Sequence, residues 1–251
     1  MIKIKLEIRS HDGPGRFGKL EKEESPLIIN KKKYKIAPDE GSSYNIQKEI
    51  AERCVIETIK KSKLAIESDE DYKIAIIQGS KYLDLRIKCI KELEKLGYIG
   101  FVIANGDELI LNPKNLVEII INLRENMNPN SFLIFPFAEP SFIPLLCYLG
   151  IDGFFDDCGD YYSYLNVLLT PTKAYDLDNY KIYENKTRED ISKFNKKIIN
   201  FVLKEVRVHM KNKTLRNLVE ERSVTSPQNI SALKIIDKNY KEYLLKYSQL
   251  Y

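Results

Sequence analysis

Residues 73–103 read KIAIIQGSKYLDLRIKCIKELEKLGYIGFVI. The run 73–77 is apolar, isoleucine-rich and of strand length. Gln78-Gly79 ends it. Residues 82–96 then bring apolar side chains back at helical spacing, and 99–103 is a second apolar run. Strand, helix and strand of these lengths predict a parallel βαβ unit with a right-handed crossover. The beat continues toward the C-terminus with a helix over 113–127 opened by Pro113, a strand over 132–137, a helix over 142–149 and a strand over 151–155. Toward the N-terminus, Ile46, Ile50, Val55, Ile59 and Leu64 predict an amphipathic helix over 44–66. Residues 2–8 alternate as a half-buried strand, 12–15 is a turn, and 17–20 and 26–29 are short strands. The beat stops near Thr170-Pro171. The polar stretch 176–186 reads as a linker or loop, and helices are expected over 188–210 and 227–247.

The chain has 251 residues, 43% hydrophobic and 30% charged, which describes a globular protein of one large or two small domains. No apolar run is long enough to span a bilayer, and the charged, alternating N-terminus does not read as a signal peptide. Cys54, Cys89, Cys147 and Cys158 are too widely spaced for a CxxC zinc motif. No metal site and no cofactor are expected, and the cytoplasm is the default compartment. A net charge of +4 does not by itself separate a nucleic-acid binder from an ordinary basic protein.

In parallel sheets and barrels, chemistry gathers at the carboxyl ends of the strands. Those ends are Gln78-Gly79, Ala104-Asn105-Gly106-Asp107, Phe137-Ala138-Glu139 and Asp156-Asp157. Gln78 offers donors and an acceptor suited to a purine-like edge, or bonds backbone as an ordinary loop glutamine. Gly79 either lets a ring approach the backbone or only permits the turn. Asn105 and Asp107 could read a base edge or hold an amine, and a plain turn is the simpler reading. Glu139 is a candidate acid or base. Asp156 is a candidate nucleophile or base-contacting acid, and otherwise a solvated strand-end carboxylate. Cys158 reads as a small core residue before it reads as an attacking thiol. His11 and His209 belong to no Ser-His-Asp or Cys-His set. Lys196, Lys197, Lys204, Arg207 and Lys211 lie in a stretch with Glu205 as its one acid. They form either a phosphate-tracking face or the solvated side of a helix. Tyr161, Tyr162 and Tyr164 could stack on nucleotides or pack.

Taken together, several segments resemble the archaeosine-synthase and tRNA-guanine transglycosylase superfamily. They are Asp12-Gly13-Pro14-Gly15-Arg16-Phe17-Gly18-Lys19-Leu20 with Ser25-Pro26, Gln78-Gly79 with Asp84-Leu85-Arg86, and Gly100-Phe101-Val102-Ile103. Pro140, Leu149-Gly150-Ile151-Asp152, Phe155-Asp156, Leu169-Thr170-Pro171 and Leu215 to Glu220 with Ser226-Pro227 continue the series in order. The resemblance implies an α/β chain with a TIM-type (β/α) barrel. Fewer strands are visible than the eight of a full barrel. The expected architecture is therefore a shortened or incomplete barrel with an N-terminal hairpin and C-terminal helices. Residues 1–180 would form the transglycosylase-like domain, and 181–251 a helical section closing it. Asp84 and Arg86 could simply cap and brace their helix.

The departures narrow the expectation. The family reaction needs two carboxylates, and the early loop that carries the second is reduced to 31–43, where Asp39 and Glu40 stand without the family motif. Ala104-Asn105 replaces the paired glycines that line the base. The zinc-binding cysteine cluster is missing. One extra residue lies between Asp152 and Asp156, so an ungapped alignment puts Phe155 at the nucleophile position. These losses fit the archaeosine-synthase branch, which resembles enzymes adding an amine, with lysine the expected donor, to the nitrile of 7-cyano-7-deazaguanine in tRNA. The other reading is a non-catalytic tRNA- or partner-binding subunit of a split synthase. The expected partners are tRNA and a separate chain carrying the missing synthase and RNA-binding domains. The open edges of an incomplete barrel also suggest a homodimer.

Overall fold

The computed structural model describes residues 6–68, 72–183 and 186–247. An antiparallel sheet comes first, made of β1 (Leu6–Asp12), β2 (Gly15–Leu20) and β3 (Glu23–Ser25), in the order β1-β2-β3. The strand expected over 2–8 thus runs on to Asp12, and its residues 2–5 lie outside the described ones. β3 carries no apolar alternation and is recruited by β2, with Gly18 opposite Ser25.

β4 (Leu27–Ile28) and β5 (Lys35–Ile36) follow, and then the expected beat: α1 (Lys48–Glu67), β6 (Tyr72–Ile77), α2 (Leu83–Lys95), β7 (Gly100–Ile103), α3 (Gly106–Ile110), α4 (Pro113–Asn126), β8 (Phe132–Phe135), α5 (Ile143–Tyr148) and β9 (Gly153–Phe154). Six strands of the described residues form one parallel sheet in the order β4-β9-β8-β7-β6-β5. Its edge strands β4 and β5 are neighbours in sequence. Their connection folds through a turn in which Asn30 C=O accepts from the N–H groups of Lys33 and Tyr34, at 3.0 and 2.9 Å. So short a link cannot cross a flat six-strand sheet about 24 Å wide. The sheet is curled, a partial TIM-type barrel in an α/β fold.

Alternation along each strand separates two cores. Ala75, Ile77, Phe101, Ile103, Leu133, Phe135 and Phe154 face the helices. Leu27, Ile29, Ile74, Val102, Phe132, Ile134 and Phe155 fill the concave side, which Leu6 and Leu20 of the antiparallel sheet also enter. Gly100 makes room there, since a Cβ would lie 2.5 Å from the Phe132 ring.

Several sequence expectations are corrected. Ile50 and Leu64 of α1 are exposed, and the helix buries Ala51, Val55, Thr58 and Ser62 instead. A small-residue face lets α1 approach its neighbours closely, and hydropathy spacing does not reveal that. α3 and α6 (Asp157–Tyr164) occupy stretches for which the sequence reading expected no helix. β10 (Val167–Leu169) and β11 (Ala174–Asp176) make a hairpin where the beat seemed to stop. α7 (Arg188–Asn212), α8 (Leu215–Ser223), α9 (Pro227–Asn239) and α10 (Lys241–Lys246) complete the chain, so the single helix expected over 227–247 breaks at Tyr240. α7 packs against α5, α6, β10, β1, β2 and the sheet edge β4. Among the described residues no helix is long and apolar enough to cross a membrane.

Candidate functional site at the carboxyl rim of the sheet

The carboxyl ends of β5 to β9 bring Asp39, Gln78, Asn105, Glu139 and Asp156 to one rim. Gln78 is buried, and its amide is already engaged. Nε2 donates to Asp39 Oδ2 at 2.6 Å, and Oε1 accepts from Ser42 Oγ at 3.3 Å. Ser42 also meets Ser80 Oγ at 2.9 Å, and its carbonyl accepts from Asn105 Nδ2 at 2.8 Å. The loop after β5 is therefore laced to the ends of β6 and β7.

Arg86 underlies this network and is fully buried. Its guanidinium donates to the carbonyls of Ser80 at 2.7 Å, Ile77 at 3.4 Å and Ala104 at 3.1 Å, and to Asn105 Oδ1 at 3.3 Å. Burial pulls its pKa down to about 10, still far above neutrality, so it stays cationic. Its location explains Gly79. The φ there is 143°, and a Cβ would lie 2.7 Å from both Arg86 Cγ and Arg86 N. The space beside Gly79 is filled by arginine. Asn105 sits at φ 61°, the left-handed region that asparagine tolerates better than most residues, and starts α3. Asp107 points outward on α3 and is exposed.

On the other side of the rim, Tyr162 Oη donates to Glu139 Oε1. Burial, and then the carboxylate of Glu139, push the Tyr162 phenol well above its ordinary value, so the proton stays on the tyrosine. Cys158 is buried and donates to the Ala138 carbonyl at 3.1 Å. Desolvation, with Glu139, Asp156 and Asp157 adding to it, drives the thiol up to about 12. It is a thiol at neutral pH and no nucleophile. Phe155 is buried in the concave core, whereas Asp156, half-buried, stands at the N-cap of α6 without a side-chain cap bond. Asp157 is exposed and paired with Lys31.

The basic residues of α7 divide into two groups. Lys196 binds Asp160 at 2.7 Å, which with Asp156 and Asp157 raises its pKa. Arg207 donates to the Pro26 carbonyl at 2.6 Å, and Lys211 pairs with Glu24 at 2.9 Å. Lys197 and Lys204 are exposed, one above the other at a spacing of two turns. The lone acid in the stretch, Glu205, binds Arg222 at 2.8 Å. Sequence reading gave no role to Ser42 and Ser80, whose signal was only their closeness to Gln78 and to the early loop. Among the described residues no three His, Cys, Asp or Glu side chains converge as a metal set.

The model of the family described as queuine tRNA-ribosyltransferase matches residues 35–196. The archaeosine synthase of Methanocaldococcus jannaschii is 34% identical over 156 residues, covering 62% of this chain and 25% of that protein. The tRNA-guanine(15) transglycosylase of the same organism is 28% identical over 271 residues, covering 93% of this chain and 41% of its own length. The tRNA-guanine(15) transglycosylase of Saccharolobus solfataricus is 27% identical, covering 78% and 45%. The chain thus spans less than half the length of these relatives. The matched stretch runs from β5 through α6 into α7 and takes in every strand end of the rim. The chain belongs to the queuine tRNA-ribosyltransferase family, within the superfamily of archaeosine synthases and tRNA-guanine transglycosylases.

Proposed function

We propose that this chain is a transferase-type enzyme of tRNA modification in the archaeosine pathway, acting on 7-cyano-7-deazaguanine in tRNA with lysine as the donor. The observation that carries the reading is the convergence of Asp39, Gln78, Asn105, Glu139 and Asp156 from five successive strand ends on one rim. The names of the relatives support tRNA as the substrate. In the addition, a neutral amine forms a bond to the nitrile carbon and one π bond of the nitrile breaks. Its electron pair goes to the nitrile nitrogen, which takes a proton, and an amidine results. Asp156 and Gln78 would orient the deazaguanine, with Gln78 set by Asp39 and with Gly79 and Arg86 shaping the wall beside it. Glu139, already hydrogen-bonded by Tyr162, would move the proton, and Asn105 and Asp107 would hold the donor.

A second reading rests on a specific observation. The amides of Gln78 and Asn105 are satisfied within the chain, and the concave side receives Phe155 where a nucleophilic carboxylate is expected. Under it, the chain is a tRNA- or partner-binding subunit, and a separate chain with synthase and RNA-binding domains, or a second copy along the edges β4 and β5, completes the assembly. One experiment separates the two. The protein is incubated with tRNA bearing 7-cyano-7-deazaguanine and free lysine, and the digested nucleosides are weighed. The enzyme reading expects a lysine adduct that Asp156→Asn abolishes, and the binding-subunit reading expects Asp156→Asn to leave tRNA affinity nearly unchanged. Retained tRNA without an adduct leaves the binding-subunit reading.

A further inference from the structure

The outer face of α1 carries a stripe of five residues, Ile50, Arg53, Glu57, Lys60 and Leu64. Spacings of three and four residues in alternation keep all five on one side of the helix. That side faces away from Ala51, Val55, Thr58 and Ser62, which α1 buries. Its apolar members stand in water. Ile50 is 41% exposed and Leu64 62%, and Ile56, on the flank of the stripe, is 49% exposed. Three large aliphatic side chains along one helix face are more than the scattered exposure of an ordinary surface. Arg53 and Glu49 are exposed, and neither has an ion-pair partner among the described residues. The one recorded ion pair of Glu57 is with Lys60, at 3.6 Å.

The stripe is complementary to itself when a second copy lies antiparallel across it. With a two-fold axis at the level of Val55, position 53 of each helix meets position 57 of the other, 50 meets 60, and on the flank 49 meets 63. Arg53 then faces the second copy's Glu57, twice by symmetry. Glu49 faces the second copy's Lys63, also twice, and Ile56 lies beside its own symmetry mate. Ile50 packs on the aliphatic stem of Lys60. Leu64 reaches the start of the other helix, where half-buried Ile46 precedes the cap. A parallel pairing would instead set Arg53 against Arg53 and Glu57 against Glu57. Charge therefore selects the antiparallel arrangement.

We propose that α1 is the interface of a homodimer, in which a second copy of this chain packs antiparallel on the stripe Ile50, Arg53, Glu57, Lys60 and Leu64. The surface is separate from the sheet edges β4 and β5, and it needs neither reading of the rim. A single helix pair lies at the low end of specific interface sizes, so the dimer is expected to dissociate on dilution. α1 starts just after the loop that reaches the rim through Ser42. Antiparallel α1 helices therefore hold the two rims at opposite ends of the dimer, facing away from each other.

Sedimentation equilibrium of the full chain over about 1 μM to about 1 mM is the test, on the wild type, Arg53→Glu, Glu57→Arg and the double variant Arg53→Glu/Glu57→Arg. Both side chains lie on the outer face of α1, so the variants are expected to fold, and thermal melts check that they do. The wild type is expected to dimerise as concentration rises. Each single reversal puts two like-charged pairs into the interface and is expected to raise the dissociation constant about tenfold or more. The double variant exchanges the signs and is expected to return it to within about threefold of the wild type. A wild type that stays monomeric over the whole range would overturn the proposal. A dimer that both single variants leave unchanged would overturn the assignment to α1, and one that the double variant fails to restore would overturn the antiparallel register.

Discussion

Arg86 is a fully buried cation whose recorded hydrogen-bond acceptors are all neutral. Taking a guanidinium out of water is costly, and here four acceptors that belong to strand ends and the rim offset the loss. Gly79 is the residue that makes this fit. Gly79→Ala adds a Cβ against the backbone of Arg86 at a φ that L residues avoid, and is expected to cost about 1–3 kcal/mol. Chemical denaturation checks the loss in stability. Because the same shift moves Gln78, the rim should be perturbed as well, visible as altered NMR shifts at Ser42 and Asn105. Sequence reading marked Gly79 and Arg86 but could not pair them. Their contact depends on the turn geometry at 79–82, which neither residue reveals alone.

At the scale of elements, α7 shows how one buried amide sets the position of three others. Asn195 lies on its buried face and is inaccessible to solvent. Oδ1 accepts from Leu169 N–H at 2.8 Å, and Nδ2 donates to Val167 C=O at 3.0 Å and Gly159 C=O at 3.4 Å. This clamps β10 and α6 to α7 at the root of the β10–β11 hairpin. Asn195→Ala leaves buried backbone groups unpaired and is expected to cost about 1–3 kcal/mol. Amide exchange at Leu169 should accelerate by more than at the ends of α7, and equal changes at both would contradict the clamp. The helix itself was legible over 188–210, and the structure adds a capping box of Thr187 and Asp190 that holds its start. The hairpin was not, because its short strands carry mostly polar or half-buried residues, and its pairing depends on Asn195 reaching it from another element.

Across the whole molecule, the antiparallel sheet is locked to the barrel at the opposite end from the rim. Asp152 stands before β9, forms an ion pair with Arg16 Nε at 3.2 Å, and accepts from Arg124 Nη2 and from Leu133 N–H at 2.8 Å. Arg124 also donates to Gly150 C=O at 2.6 Å, and Arg16 to Pro129 C=O at 2.8 Å. One carboxylate thus ties β2, α4, β8 and β9 together, and it balances two buried arginines only in part. Burial and the neighbouring Arg124 hold Arg16 down to about 10. Removing the one anion strands two cations, so Asp152→Asn is expected to cost about 3–5 kcal/mol. For a chain of this size each kcal/mol lowers Tm by about 2–4 °C. Thermal melts of Asp152→Asn beside Arg16→Met check it, and a Tm unchanged by Asp152→Asn would refute the locking role. Sequence reading saw Arg16 and Asp152 as parts of separate motifs, 136 positions apart along the chain.

The sequence alone determined the parallel strand–helix beat, the starts of α4, α7 and α9 and the family resemblance. These depend on local periodicity, capping chemistry and motif order, each of which acts within a few residues. Tertiary structure decided the rest. The order β4-β9-β8-β7-β6-β5 follows from a turn between two two-residue strands too short to carry a pattern of their own. Whether Phe155 or Asp156 faces the concave side is a question of one residue of register, and a slip of one reverses every side chain on a strand. Which amides and lysines remain free for a ligand depended on partners distant in sequence, such as Asp39 for Gln78, Asp160 for Lys196 and Glu24 for Lys211. Hydrogen bonds and ion pairs form between groups that packing brings within about 3 Å, and no local pattern specifies that distance across the fold.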